Sequence, residues 1–302
     1  MSHTIDRRLH NRATLGIFLM IIGLALYAFS DAFLKHLMGT YSVNQTTFLR
    51  AVTRIAPLFI AVFFQGGVRH TLGTTHAKRH LFRLIINLGS TYAFMCAFKF
   101  SSLTAIYTLG YTSPFFMIIL SALLLRETVS WDRWLAVVVG MLGIIIAVQP
   151  GSNVFEWASI IVLSGAFLAA LNKILMRNLA QTEHALAISI YPNIAMIFIT
   201  LPLICGSWIS MPWSHWALFA FVGTLTAAAQ YSIAQAVRYT KASTLAPIDY
   251  STYFWVVSLD FLWWNQTPEM RMVIGAATIV CSNLYILYTT RREETLKTAP
   301  NN

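Results

Sequence analysis

Charge is scarce in this chain. Asp, Glu, Lys and Arg together make up 11% of its 302 residues, against roughly 25% in soluble domains. So thin a polar coat cannot solvate a globule of this size. Disorder is excluded for the opposite reason, since it requires low hydrophobicity and here 57% of residues are apolar, with a mean hydropathy of +0.63. Cysteine is scarce as well. Cys96, Cys205 and Cys281 lie in or beside apolar stretches with no metal-ligand spacing, and read as small buried apolar residues. Catalytic signatures are missing: there is no Gly-rich phosphate loop, no HExxH pair and no GxSxG elbow, which leaves no motif for ATP hydrolysis, zinc proteolysis or serine hydrolysis. No cofactor or metal site is expected. His70, His76 and His80 read as the solvated flank of a basic loop.

What is present is apolar run after apolar run. A bilayer core takes about 20 mostly apolar residues as helix, and ten candidates fit: 14–36, 45–65, 80–99, 103–125, 131–149, 154–176, 184–205, 213–236, 242–263 and 268–290. Unbroken runs of this length favour helices over barrel strands, which alternate over about ten residues. The first run follows a basic stretch with no small-residue cleavage site, and reads as an uncleaved helix. The fold class is therefore an all-α polytopic membrane protein of ten transmembrane helices.

The net charge of +10 comes in short clusters between the runs, as membrane flanks do, and nucleic acid is not an expected partner. With the N-terminus placed inside, one face collects Arg7, Arg8, Arg12, Arg69, Lys78, Arg79, Arg126, Arg133, Arg177, Arg238, Lys241, Arg291, Arg292 and Lys297. The other face holds at most Lys99 and Arg271. The positive-inside rule then predicts both termini in the cytoplasm. Trp208, Trp213, Trp216, Trp263 and Trp264 fall at the expected outer ends, as an aromatic belt does.

The chain also repeats. At an offset of 139 residues, the segment 108–128 resembles 247–267, pairing Tyr111 with Tyr250, Phe115 with Phe254 and Glu127 with Gln266. An offset of 141 pairs Asp31 with Asn172 and Arg50 with Tyr191. The boundary falls near residue 150, giving a first five-helix repeat over 1–150 and a second over 151–302 with a short basic tail. Five is odd, so the second repeat must cross in the opposite sense. Inverted repeats are a transporter plan in which the substrate site lies near the midplane between the halves.

Charged and polar groups inside the spans are the candidate site. A charge at mid-membrane costs roughly 2.5–3.5 kcal/mol on insertion scales and so faces a cavity or a partner. Asp31 and Lys35 are four apart and share a helix face, either as an ion pair near the outer end or as a substrate contact. Arg50 and Arg54 share a face of the second span. Their mutual repulsion calls for an anion, either Asp31 of the neighbouring helix or an anionic group on the substrate. Asp249 follows Pro247, which should bend its helix, and suits an ammonium or a coupling proton. Asp260 reads as interfacial. Tyr107 and Tyr111 define one face of the fourth span, and Tyr250 and Tyr253 one face of the ninth. The four can form an aromatic wall or simply pack helices. Asn172 and Gln230 can orient a substrate through hydrogen bonds or bind helices together. Glu127, with Arg126, Asp132 and Arg133, reads as a loop-end salt cluster. Gly140, Gly143 and Ala147 read as close-packing positions.

Thr112, Ser113, Pro114, the apolar run after them, Glu127, Gly140 and Gly143, with Thr244, Leu245, Ala246, Pro247, Asp249 and Tyr250 in the second half, give the whole chain a resemblance to the drug/metabolite transporter superfamily, in its EamA-type ten-helix form. Asp31 with Lys35, Phe48-Leu49-Arg50 and Leu245-Ala246-Pro247 with Tyr250 are closest to its S-adenosylmethionine uptake branch. The resemblance implies a secondary transporter of a small zwitterionic metabolite in a bacterial inner membrane, with S-adenosylmethionine or a similar compound taken up. Export of amino acids or amine-bearing metabolites is the alternative, and an integral membrane enzyme a distant one. Partners would be the small-molecule substrate, the lipid bilayer, and a proton or counter-substrate, with Asp31 and Asp249 as the acids suited to proton coupling.

Overall fold

A computed structural model describes residues 2–64, 67–74, 77–124, 126, 129–149, 157–179, 183, 185–239, 245 and 248–298. The described residues are all-helical, with no strand among them. In chain order the helices are α1 (Ser2–Met38), α2 (Val43–Phe64), α3 (Gly67–Leu72), α4 (Ala77–Phe100), α5 (Leu103–Gly110), α6 (Ser113–Leu124), α7 (Trp131–Val148), α8 (Trp157–Leu179), α9 (Ala185–Ile204), α10 (Trp213–Tyr239), α11 (Thr252–Trp264) and α12 (Met270–Thr298). Nine stretches among the described residues are long and apolar enough to cross a membrane. The expected ninth span is represented by α11, whose N-terminal approach, with Pro247, lies largely outside the described residues. Glu127 and the repeat boundary also lie outside them.

The packing maps onto itself when the halves are exchanged. α1 packs on α10 as α8 packs on α4, and α6 packs on α8 as α11 packs on α1. α2 meets α9, and α7 meets α12. Small residues permit the closest of these crossings. A Cβ on Gly143 would come within 3.1 Å of the Gly275 carbonyl oxygen, and one on Gly275 within 2.6 Å of Ala147 Cβ, so the expected close-packing positions bring α7 and α12 together. Gly140 lies under the Phe115 ring, which a Cβ there would overlap at 2.2 Å.

The fourth span is two helices rather than one. Pro114 has no N–H to give to the carbonyl one turn back, and the chain breaks at Tyr111–Thr112. Thr112 turns its N–H and hydroxyl to the Leu109 carbonyl, and Asn283 Nδ2 donates to the Tyr111 carbonyl at 2.9 Å. A side chain of α12 thus satisfies the backbone that the break exposes, as a membrane interior demands.

Several expectations are corrected here. Lys35 pairs with Asp260 rather than Asp31, at 3.3 Å, with its ammonium 4.4 Å from the Trp264 ring centroid. Asp260, beside the first turn of α5, is buried, at 1% exposed. Its carboxylate accepts from Leu103 N at 3.1 Å, Thr104 N at 2.7 Å and Thr104 Oγ1 at 2.7 Å, while Ser102 Oγ accepts from Ala105 N. The first N–H groups of α5, which have no partner within the helix, are thereby satisfied. Trp264 turns inward to Lys35, whereas Trp208, Trp213, Trp216 and Trp263 are exposed. The basic loop contains α3, and Tyr191 donates its hydroxyl proton to the Leu72 carbonyl. His80 is buried, because α4 begins a turn earlier than expected and Glu183 folds over it. Its Nε2 lies 3.7 Å from Glu183 Oε2, and its ring meets Tyr191 edge-on at 5.0 Å.

Candidate functional site

Between the two halves lies a cavity of about 680 Å³. It is lined from α1, α2, α4, α5 and α6 on one side and from α8, α9, α10 and residues 249–252 on the other. Its position follows from the broken spans. Where α5 gives way to α6, and where the chain turns at Tyr250–Ser251 before α11, side chains point inward rather than along a helix. Tyr111 and Tyr250, paired by the 139-residue offset, meet there edge-to-face with centroids 5.1 Å apart. Tyr107 stands 6.5 Å from Tyr111, and Tyr27 and Phe94 add further rings to the lining.

One polar cluster joins α1, α2 and α5. Arg50 Nη2 donates to Asp31 Oδ1 at 3.1 Å, and the Tyr107 hydroxyl donates to Asp31 Oδ2 at 2.8 Å. Helical rise puts Asp31 and Arg50 about 10 Å from the end of the bundle that carries residues 38–43. Arg54 lies one turn deeper. From the opposite end, Arg83 and Lys173 both sit about 9 Å inside. Arg83 Nε donates to Asn172 Oδ1 at 3.0 Å and its Nη1 to the Ile188 carbonyl at 3.1 Å. Thr252 Oγ1 donates to the Asp249 carbonyl, and Asp249 is among the residues lining the cavity.

Of the nine residues singled out in the sequence, Asp31, Arg50, Tyr107, Tyr111, Gln230, Asp249 and Tyr250 line this one cavity. Asn172 stands behind the wall, accepting from Arg83. Tyr253 is half-buried and packs against the apolar core instead. Sequence reasoning passed over Arg83, Asn87, Lys173 and Asn193 as lining residues. Arg83 and Lys173 carried the signal that marks Asp31, a charge inside an apolar span, but neither was singled out, since cations near span ends are common as positive flanks. Among the described residues, no group of three or more His, Cys, Asp or Glu could hold a metal ion.

At the end carrying residues 38–43 the bundle is tied shut. Tyr41 Oη and His215 Nδ1 are 2.5 Å apart, and Gln45 exchanges two hydrogen bonds with the Ile209 backbone, at 2.8 and 3.1 Å. A second recess, on the same end, brings together Lys35, Lys99, Glu269 and Arg271. The hydrogen bond from Arg271 holds the Glu269 carboxyl below its ordinary value.

The EamA-like transporter family matches residues 14–149 and again residues 156–288. The chain is 27% identical over 275 residues to a riboflavin transporter of Vibrio cholerae, covering 90% of this chain and 92% of that protein. It is 22% identical over 283 residues to an S-adenosylmethionine uptake transporter of Rickettsia prowazekii, covering 93% and 95%. A solved crystal structure superposes with a TM-score of 0.63 over 93% of this chain and 98% of its own, at 16% identity, a likeness of fold alone.

Proposed function

The chain belongs to the EamA-like transporter family, and from that premise we propose that it carries a small, ring-bearing zwitterion across a bacterial inner membrane by alternating access, with S-adenosylmethionine-like compounds as the first candidates for uptake. The observation that carries this reading is the cavity between the halves, where two carboxylates, four cations and a tyrosine wall share one lining. Aromatic faces take planar rings and cationic groups, an Arg takes a carboxylate, and Asp249 is placed to take an ammonium or a coupling proton. Residues 1–150 and 151–302 act as the two repeats, rocking about the cavity. Both termini face the cytoplasm, in keeping with the clustering of Lys and Arg. A second reading, a flavin as cargo, is favoured by the likeness to riboflavin transporters together with the aromatic wall.

Counterflow in proteoliposomes tests the proposal. Labelled S-adenosylmethionine would be competed with riboflavin and a panel of amino acids, with Asp249→Asn alongside. Saturable exchange that ring-bearing compounds compete and the variant loses supports the reading. Exchange unchanged in the variant removes Asp249 from the site. Exchange competed only by amino acids turns the reading to the export alternative.

A further inference from the structure

The cavity carries more positive charge than its two carboxylates balance. Arg50, Arg54, Arg83 and Lys173 face it, against Asp31 and Asp249. Two of the cations are engaged: Arg50 with Asp31, and Arg83 with Asn172 and the Ile188 carbonyl. Arg54 and Lys173 differ. Among the described residues, neither forms an ion pair with a carboxylate, and Arg54 Nε, like Arg50 Nε, is buried with no hydrogen-bond partner. Arg54 enters from α2 and Lys173 from α8, on opposite walls, about one helical turn apart in depth. A buried guanidinium N–H without an acceptor is costly, and an excess of cations over carboxylates in a cavity focuses an attractive field on an incoming anion.

We propose that Arg54 and Lys173 form an anion seat, so that the cavity selects ring-bearing compounds with a carboxylate or phosphate over those without. The inference rests on the transporter reading and makes it more specific. Arg50, the sequence candidate for an anionic substrate group, is already held by Asp31, and the role passes to Arg54 one turn deeper. A planar fork suits the two oxygens of either anion. Lys173 supplies the opposing charge, and Asp249, on the wall of Lys173 but beyond ion-pair distance, is left for an ammonium. The tyrosine wall holds the ring.

The test uses two pairs of probes that differ in the anion alone: S-adenosylmethionine against its decarboxylated form, and flavin mononucleotide against riboflavin. Binding to the full chain in nanodiscs is measured by titration calorimetry for wild type, Arg54→Gln, Arg54→Lys and Lys173→Gln. In at least one pair the anionic member should bind tighter by about tenfold or more. Arg54→Gln should erase that ratio, Lys173→Gln reduce it, and Arg54→Lys, which keeps the charge, restore part of it. Which pair shows the ratio tells carboxylate from phosphate. Equal affinities within both pairs, or a ratio that survives Arg54→Gln, overturn the seat. Binding of none of the four overturns it too. The transporter reading is judged separately, by counterflow of labelled S-adenosylmethionine, so exchange without a preference for the anionic probe overturns the seat alone.

Discussion

At the 141-residue offset, Asp31 answers to Asn172 and Arg50 to Tyr191, and the two places keep different company. In the first half, carboxylate, guanidinium and tyrosine hydroxyl close on one another across three helices. In the second half the carboxylate is an amide and the guanidinium a phenol. Asn172 accepts from Arg83, borrowed from the other half, while Tyr191 turns away to the Leu72 carbonyl. The packing frame is symmetric under exchange of the halves and the charge is not. A cavity built this way presents different chemistry to the two ends of its cargo, which suits an asymmetric molecule better than one with matching ends.

The contrast can be broken most sharply at Asp31. Asp31→Asn leaves Arg50 half-buried and unpaired, and loss of one partner of a buried pair costs about 3–5 kcal/mol. The thermal melting temperature in detergent should fall and counterflow should cease. Asn172→Ala should cost less, about 1–3 kcal/mol, because Arg83 keeps the Ile188 carbonyl. Equal losses from the two substitutions would mean that the halves are loaded alike.

A smaller effect is expected where the fourth span breaks. Asn283→Ala strips the Tyr111 carbonyl of its partner and should cost about 1–2 kcal/mol, read as a lower melting temperature. An unchanged melt would show that the break holds itself. Smallest of all, Asn172→Asp would give the second half its own carboxylate beside Arg83. An ion pair replacing the bond from the Arg83 guanidinium to a neutral amide should add under about 1 kcal/mol of stability, read as a slightly higher melting temperature. A fall instead would mean that the amide NH₂ has a role of its own.

The helical runs were legible because a bilayer imposes one length and one composition on every span. The Tyr111–Tyr250 contact was legible as a repeat offset, and the Arg50–Asp31 pair from the need of two like charges for an anion. The partner of Lys35 was not. Asp31 at i+4 spacing was the local candidate, and Asp260 lies 225 residues away, brought near only by α1 packing on α11. His80 and Glu183 were hidden in the same way, since neither the start of α4 nor the approach of Glu183, which lies between α8 and α9, can be read from a basic loop. Cations near span ends obscured Arg83 and Lys173, because the same residue types serve as flanks and as lining. The break after Gly110 was foreshadowed by Pro114, but its stabilisation by Asn283 belongs to tertiary structure.

Asp260 draws four donors onto one carboxylate: an ammonium from α1, two backbone N–H groups and a hydroxyl from α5. No step that parts α1 from α5 and α11 can surrender these contacts gradually. The ammonium cannot leave without stranding a buried charge, and α5 cannot shift without uncapping itself. Separation at this end should therefore be cooperative, with long dwells in one arrangement and brief crossings to another. Viewed one molecule at a time, a fluorophore pair spanning α1 and α11 should flicker between two levels rather than drift through a continuum.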